Sequence, residues 1–203
     1  MKIAIIGATG NVGRRLVDEA LRRGHDVTAI ARDTSALTST SKLALTRADA
    51  QDPAALAAAL AGHDAVISSV AFRMVEPARL IAAVRSSGVK RYLVVGGAGS
   101  LEIAPGSLLV DAPNFPAAYK EEASKGKLFL DALRDVDDLD WTMLSPSALF
   151  VAGERTGTFR LGGDALLTAS DGKSWISYED FAMALINELE QPKHVKRRFT
   201  IGY

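Results

Sequence analysis

The chain of 203 residues contains no cysteine. That excludes disulfide staples, thiolate metal sites and a cysteine nucleophile. Its 24 basic and 24 acidic residues cancel, so it carries no electrostatic footprint for nucleic acid or an anionic membrane. No apolar run approaches the roughly 20 residues of a transmembrane helix. Met1-Lys2-Ile3 leads straight into a strand-like run, which leaves no room for a signal peptide; the expectation is a soluble, cytoplasmic protein. Histidine is scarce. His25 and His63 stand in short turns and His194 in the basic segment Lys193–Arg198, and all three read as surface residues. No H-x-x-x-H or clustered carboxylate pattern points to a metal.

What is present alternates in type from end to end. Apolar runs at Ile3–Ile6, Val27–Ala31, Ala65–Val70, Tyr92–Val95 and Trp141–Leu144 are short and bounded by turn residues, as in parallel strands buried on both faces. Leu43–Ala48 and Arg197–Ile201 add two more. Helical segments lie between them: Val12–Arg23, Pro53–Leu60 and Glu76–Ser87, closed by Gly24, Gly62 and Gly88, then Ala117–Arg134 and about Tyr178–Glu190. Repeated βαβ units predict an α/β fold, a doubly wound parallel sheet of Rossmann type, with ligands at the carboxyl ends of its strands. No linker or internal repeat divides residues 1–203, so one domain is expected. The rhythm breaks at about 96–116 and 145–174, two Gly-containing stretches that follow strands and read as substrate walls. No apolar helix face stands out as a contact between copies.

The first turn carries the strongest motif, Gly7-Ala8-Thr9-Gly10-Asn11-Val12-Gly13, set between an apolar run and a helix. That context marks a dinucleotide-binding fingerprint, spaced G-x-x-G-x-x-G. Gly7 allows the tight turn, Gly10 lets backbone approach a pyrophosphate, and Gly13 lets the helix pack on the strand. Amides from Thr9 to Gly13 face the phosphates. Some twenty residues on, an acid selects NAD and an arginine NADP. Arg32 and Asp33 both stand there. Arg32 comes first and presents a planar fork to a phosphate, with Thr34 and Ser35 behind it, whereas Asp33 caps the turn that follows. NADP(H) is therefore favoured over NAD(H). Asp49, with Ala50 beside it, reads either as an adenine contact or as a loop carboxylate before Pro53. Ser68, Ser69, Val70 and Ala71 close the fourth strand over the groove.

Together GATGNVG, Arg32-Asp33, Asp49 and the stretch DLDWTMLSPSALFVAGERTGTFRLGGD resemble the atypical short-chain dehydrogenase/reductases. The likeness is nearest to the small NmrA-like NAD(P)H-binding proteins often called NADH-flavin reductases, with B-type biliverdin/flavin reductases as relatives of similar size. It extends over essentially the whole chain. The resemblance implies a Rossmann sheet of seven or eight strands and, in active members, hydride transfer from nicotinamide to a flavin, quinone or other conjugated acceptor. It also implies that Gly96 and Gly97, and the backbone of Ser145-Pro146, flank the nicotinamide, with Phe150 as a pocket wall. Ser100 stands near where members carry a catalytic serine.

The usual Tyr-x-x-x-Lys relay needs both side chains on one helical face, three or four residues apart. Tyr119 is followed at the fourth place by Ala123. Lys120 and Lys125 lie about 100° and about 240° round the helix. The relay is absent as written. Tyr119 remains a pocket-wall or ribose candidate and Lys120 a phosphate-side one. A reductase acting on flavins or quinones dispenses with a strong protein acid, because the cofactor carries the difficult chemistry. The same absence suits a non-catalytic NAD(P)-binding redox sensor.

Overall fold

The first strand dictates the layering. In β1 (Lys2–Ile6), Ile3 and Ile5 enter one apolar cluster, while Ala4 and Ile6 enter another on the opposite side. A strand buried on both faces needs helices on both faces. The computed structural model describes residues 1–203 and supplies them. After β1 come α1 (Asn11–Arg22), β2 (Asp26–Ala31), β3 (Leu43–Arg47), α2 (Pro53–Leu60) and β4 (Ala65–Ser68). A 3-10 turn at Phe72–Met74 leads to α3 (Pro77–Ser87) and β5 (Arg91–Val95). Then follow β6 (Glu102–Ala104), β7 (Ser107–Leu108), α4 (Ala117–Arg134), β8 (Asp140–Pro146) and β9 (Leu149–Val151). The chain closes with β10 (Arg160–Gly162), β11 (Trp175–Ser177), α5 (Tyr178–Glu190) and β12 (Arg197–Gly202).

Eight strands form the main sheet in the order β10-β12-β8-β5-β4-β1-β2-β3. All its pairings are parallel except that of β10 with β12. Side chains of α1 and α5 pack into the cluster on one face; those of α2, α3 and α4 fill the other. Local chemistry sets the helix ends. Asp52 accepts the Ala55 N–H at the start of α2, whose first residue is Pro53, and α3 stops at Gly88 with φ +79°. From β1 the chain builds outward through β2 and β3, then crosses to β4 on the other side. That reversal places a crevice beyond the carboxyl ends of β1 and β4.

The doubly wound expectation holds, with three refinements. The fourth strand stops at Ser68, so Ser69 and Val70 already belong to the turn. The stretch 96–116 contains the small β6–β7 hairpin, turned at Gly106 with φ +74°. The stretch 145–174 contains β9, which pairs with β11, and β10, which completes the main sheet. Three-residue strands held by backbone pairing to distant partners leave no periodicity to read. No helix is long and apolar enough to cross a membrane.

Candidate functional site

Three backbones converge just past β1, and the glycines there do different jobs. Gly7 has φ +78°, and a Cβ on it would fall 2.3 Å from the Ser69 carbonyl oxygen. A Cβ on Gly13 would fall 2.1 Å from the Gly7 carbonyl oxygen. Both positions therefore exclude a side chain on packing grounds. Gly10 is different: an added Cβ would meet only the Gly7 oxygen, at 3.3 Å. Its remaining side is open cleft. Gly10 also precedes α1 in extended backbone, and no side chain caps the helix. The Arg14 N–H is bonded to the Gly10 carbonyl at 3.0 Å, which leaves the N–H groups of Asn11, Val12 and Gly13 without helical acceptors. The first turn holds no acid, so the positive end of the helix dipole is uncompensated.

The crevice is a cleft of about 350 Å³. Gly7, Thr9, Gly10, Arg32, Asp49, Ala50 and Val70 line it, as does Asp33. Sequence reasoning missed Ala48, Gln51 and Met74 in its walls. The first two adjoin Asp49-Ala50 and were within reach, but Met74 enters through the 3-10 turn, which carries no pattern. Arg32 is exposed and its guanidinium has no partner in the protein. Its carbonyl accepts a bond from Arg47 Nε at 3.1 Å. Asp33 is committed elsewhere. Its Oδ1 accepts the Ser35 N–H at 2.9 Å, which holds this exposed carboxyl below its usual range. Asp49 both faces the cleft and accepts the Gln51 N–H at 2.9 Å, so the two readings of it are compatible. Ser68 bonds the Tyr92 hydroxyl at 2.9 Å below the cleft; burial pushes that phenol up, so it stays protonated.

The other predicted residues lie outside this cleft. Gly96 closes β5 against β8: its N–H is bonded to the Leu144 carbonyl at 2.8 Å, and a Cβ would come within 2.8 Å of the same oxygen. Gly97 is half-buried next to it, while Ser145 and Pro146 are buried at the end of β8. The Ser145 hydroxyl has no hydrogen-bond partner. Phe150 packs on Tyr178 and Phe181, each with ring centroids 4.7 Å away, and Arg15 lies over Tyr178.

Neither candidate for acid–base work lines this cleft. Ser100 is 8% exposed, and its hydroxyl lies 3.4 Å from the buried Arg198 guanidinium. Tyr119 is 66% exposed at the start of α4 and outside the cleft. Lys120 is bonded to the Val110 carbonyl and sits 5.8 Å over Phe115, which ties α4 to the stretch after β5. In the relay lysine's place, Ala123 packs so tightly on Gly99 that a Cβ there would be 2.7 Å from its own.

The histidines are less superficial than their turn positions imply. His25 is buried and bonds Glu190 Oε1 at 2.9 Å; His63 bonds Thr28 at 2.8 Å. His194 stacks on Phe199 and bonds Glu188. Partners distant in sequence hold His25 and His63, while His194 is held by near neighbours; only His25 is buried. A carboxylate network also pins the stretch after β8 to α1 and α5. Glu19 accepts Arg155 Nε and Nη2 at 2.8 and 2.9 Å, and Asp180, fully buried, accepts the Gly157 N–H at 2.9 Å. Glu179 accepts the Gly153 N–H and Arg15 Nε, both at 2.9 Å.

The NAD(P)H-binding family matches residues 7–192. YwnB, an uncharacterised protein of Bacillus subtilis, is 39% identical, and the alignment spans 99% of this chain and 98% of that protein. Among solved structures, a Bacteroides thetaiotaomicron protein named as a candidate epimerase superposes with TM-score 0.95 at 40% identity, across 100% of this chain and 96% of that one. A Streptococcus pneumoniae protein named as a candidate NADH-flavin reductase superposes with TM-score 0.87 at 36% identity, across 100% and 99%.

Proposed function

The chain belongs to the NAD(P)H-binding family, and from that premise we propose an NADP(H)-dependent reductase that passes hydride to a flavin, quinone or similar conjugated acceptor. The observation that carries this reading is the cleft itself. Thr9 and Gly10, at the start of a helix whose first amides have no helical acceptors, and an unpaired Arg32 line it, while Asp33 is occupied by Ser35. When bound, reduced nicotinamide supplies the hydride. The amides of Asn11, Val12 and Gly13 hold diphosphate oxygens at the helix start. Arg32 meets the ribose phosphate that distinguishes NADP from NAD, a contact its planar fork suits. Asp49 and Ala50 receive the adenine edge, and Ser69 and Val70 line the adenosine. Gly96, Gly97, Ser145 and Pro146 flank the nicotinamide at the ends of β5 and β8.

Ketone reduction of the usual kind needs an acid beside the accepting oxygen, and the Tyr-x-x-x-Lys pair that supplies it is not present here: Ala123 stands four residues after Tyr119. A flat conjugated acceptor takes hydride without one, so orientation and exclusion of water suffice. The likeness to the pneumococcal protein supports this acceptor class. The lack of a Tyr-x-x-x-Lys pair equally favours a second reading, a redox sensor that holds NADP(H) without turnover. Incubating purified protein with NADPH and a panel of FMN, FAD and quinones separates them. Slow, broad consumption of NADPH supports the reductase; tight NADPH binding with no consumption by any acceptor sinks it and leaves the sensor.

A further inference from the structure

The 3-10 turn at Phe72–Met74 follows directly on the cleft wall formed by Val70 and Ala71, and Met74 is itself part of that wall. Nothing local caps it: Ala71 stands at its N-terminal end and offers no side-chain acceptor. The exposed donors are met from fifty residues away. Glu122 of α4 accepts the Phe72 N–H through Oε1 at 2.7 Å and the Arg73 N–H through Oε2 at 3.0 Å. One carboxylate thus satisfies two successive amides, an arrangement that fixes the turn in orientation as well as position.

The same face of α4 grips this turn twice more. Gly126, four residues on, leaves space for the Phe72 ring, which a Cβ there would approach to 2.9 Å. Phe129, seven residues on, packs against that ring with centroids 5.3 Å apart. Spacing of four and seven places all three residues on one helical stripe. The turn has no other carboxylate partner, and the Lys125–Glu76 pair, at 3.2 Å, joins exposed groups beyond it.

We propose that Glu122 is the positioning residue of the nucleotide cleft: it touches no ligand, and it holds Val70, Ala71 and Met74 where the adenosine end is received. The assignment rests on the reading of the cleft as an NADP(H) site. It gives α4, which lacks the relay lysine, a role toward the cofactor through its carboxylate.

The test is calorimetric titration of the full chain with NADP⁺ and with adenosine 2′,5′-bisphosphate, which carries only the adenosine half. Glu122→Ala weakens both probes by the same factor, about tenfold, in line with the loss of charge-assisted bonds. Glu122→Gln, whose single amide oxygen still accepts one N–H, falls between Glu122→Ala and wild type. Lys125→Ala, which breaks only the exposed pair, binds both probes as wild type does. If Glu122→Ala does not fold, the intermediate affinity of Glu122→Gln carries the test. Unchanged affinities in the Glu122 variants, with only a lowered unfolding midpoint, overturn the inference and leave the cleft reading standing. Wild-type protein that binds neither probe overturns both.

Discussion

Replacing Gly10 and Gly13 separately should give opposite phenotypes, because their surroundings differ. At Gly13 a methyl group would stand 2.1 Å from the Gly7 carbonyl oxygen, and no rotamer change relieves a backbone clash. Helix α1 must then move off β1. Overpacking of this kind costs about 1–3 kcal/mol. The better helix propensity of alanine returns at most about 1 kcal/mol. For a chain of this size each kcal/mol moves the unfolding midpoint by about 2–4 °C, so Gly13→Ala should unfold some degrees early. At Gly10 the added carbon meets one oxygen at 3.3 Å and otherwise enters the cleft. The fold cost of Gly10→Val is then mainly a poorer helix cap, about 1 kcal/mol or less. Its methyl groups occupy the space proposed for diphosphate oxygens. Two or three charge-assisted bonds, each worth about 1.5–3 kcal/mol, are disrupted, so NADPH affinity should fall by at least about a hundredfold. Thermal unfolding and fluorescence titration of NADPH read the two effects independently. A Gly10→Val protein that binds NADPH normally would show that the glycine run is only a turn.

Arg32→Ala should cost NADP(H) about 1.5–3 kcal/mol of binding and leave NAD(H) nearly unchanged. Equal wild-type affinities for the two, or an unmoved NADP(H) titration in the variant, refute the assignment of the phosphate contact. Tyr119→Phe should keep most of the reductase rate, since the side chain is 66% exposed and no lysine stands four residues on. A fall of about 100- to 10,000-fold at constant cofactor affinity would identify it as the proton donor. The bonds from Arg155, with those from Arg23, hold the Glu19 carboxyl down to about 2 against the opposing effect of burial, where 4.5 is the ordinary value. A lowered folded pKa gives stability that is present above about 4.5 and lost as pH falls toward about 2. The wild-type midpoint should therefore drop through that window more steeply than that of Glu19→Gln; parallel pH profiles would contradict the pairing.

The glycine turn after β1, where phosphate binding is proposed, is written locally, and so its geometry was legible. Strand, glycine turn and helix are contiguous over Lys2–Arg22, and Arg32 follows β2 directly. The βαβ order could be read because each buried strand is a short apolar run closed by a turn residue. What escaped depends on residues far apart in the chain. Strand β10 exists because β12 offers it a backbone edge, and His25 is buried because Glu190 reaches it across the fold. Glu122 reads as an ordinary helix surface residue until the fold brings the Phe72 and Arg73 amides to it. Ser100 looked available in a glycine-rich stretch, yet Arg198 of the last strand lies against it.

The central claim is hydride transfer without a protein acid, and anaerobic single-turnover mixing tests it most directly. Protein preloaded with NADPH is mixed with FMN, and nicotinamide oxidation and flavin reduction are followed by their separate absorbance changes. The two should proceed with one rate constant and one-to-one stoichiometry, and Tyr119→Phe should behave as wild type. Bound NADPH that persists unoxidised while FMN, FAD and quinones in turn stay oxidised would contradict the account.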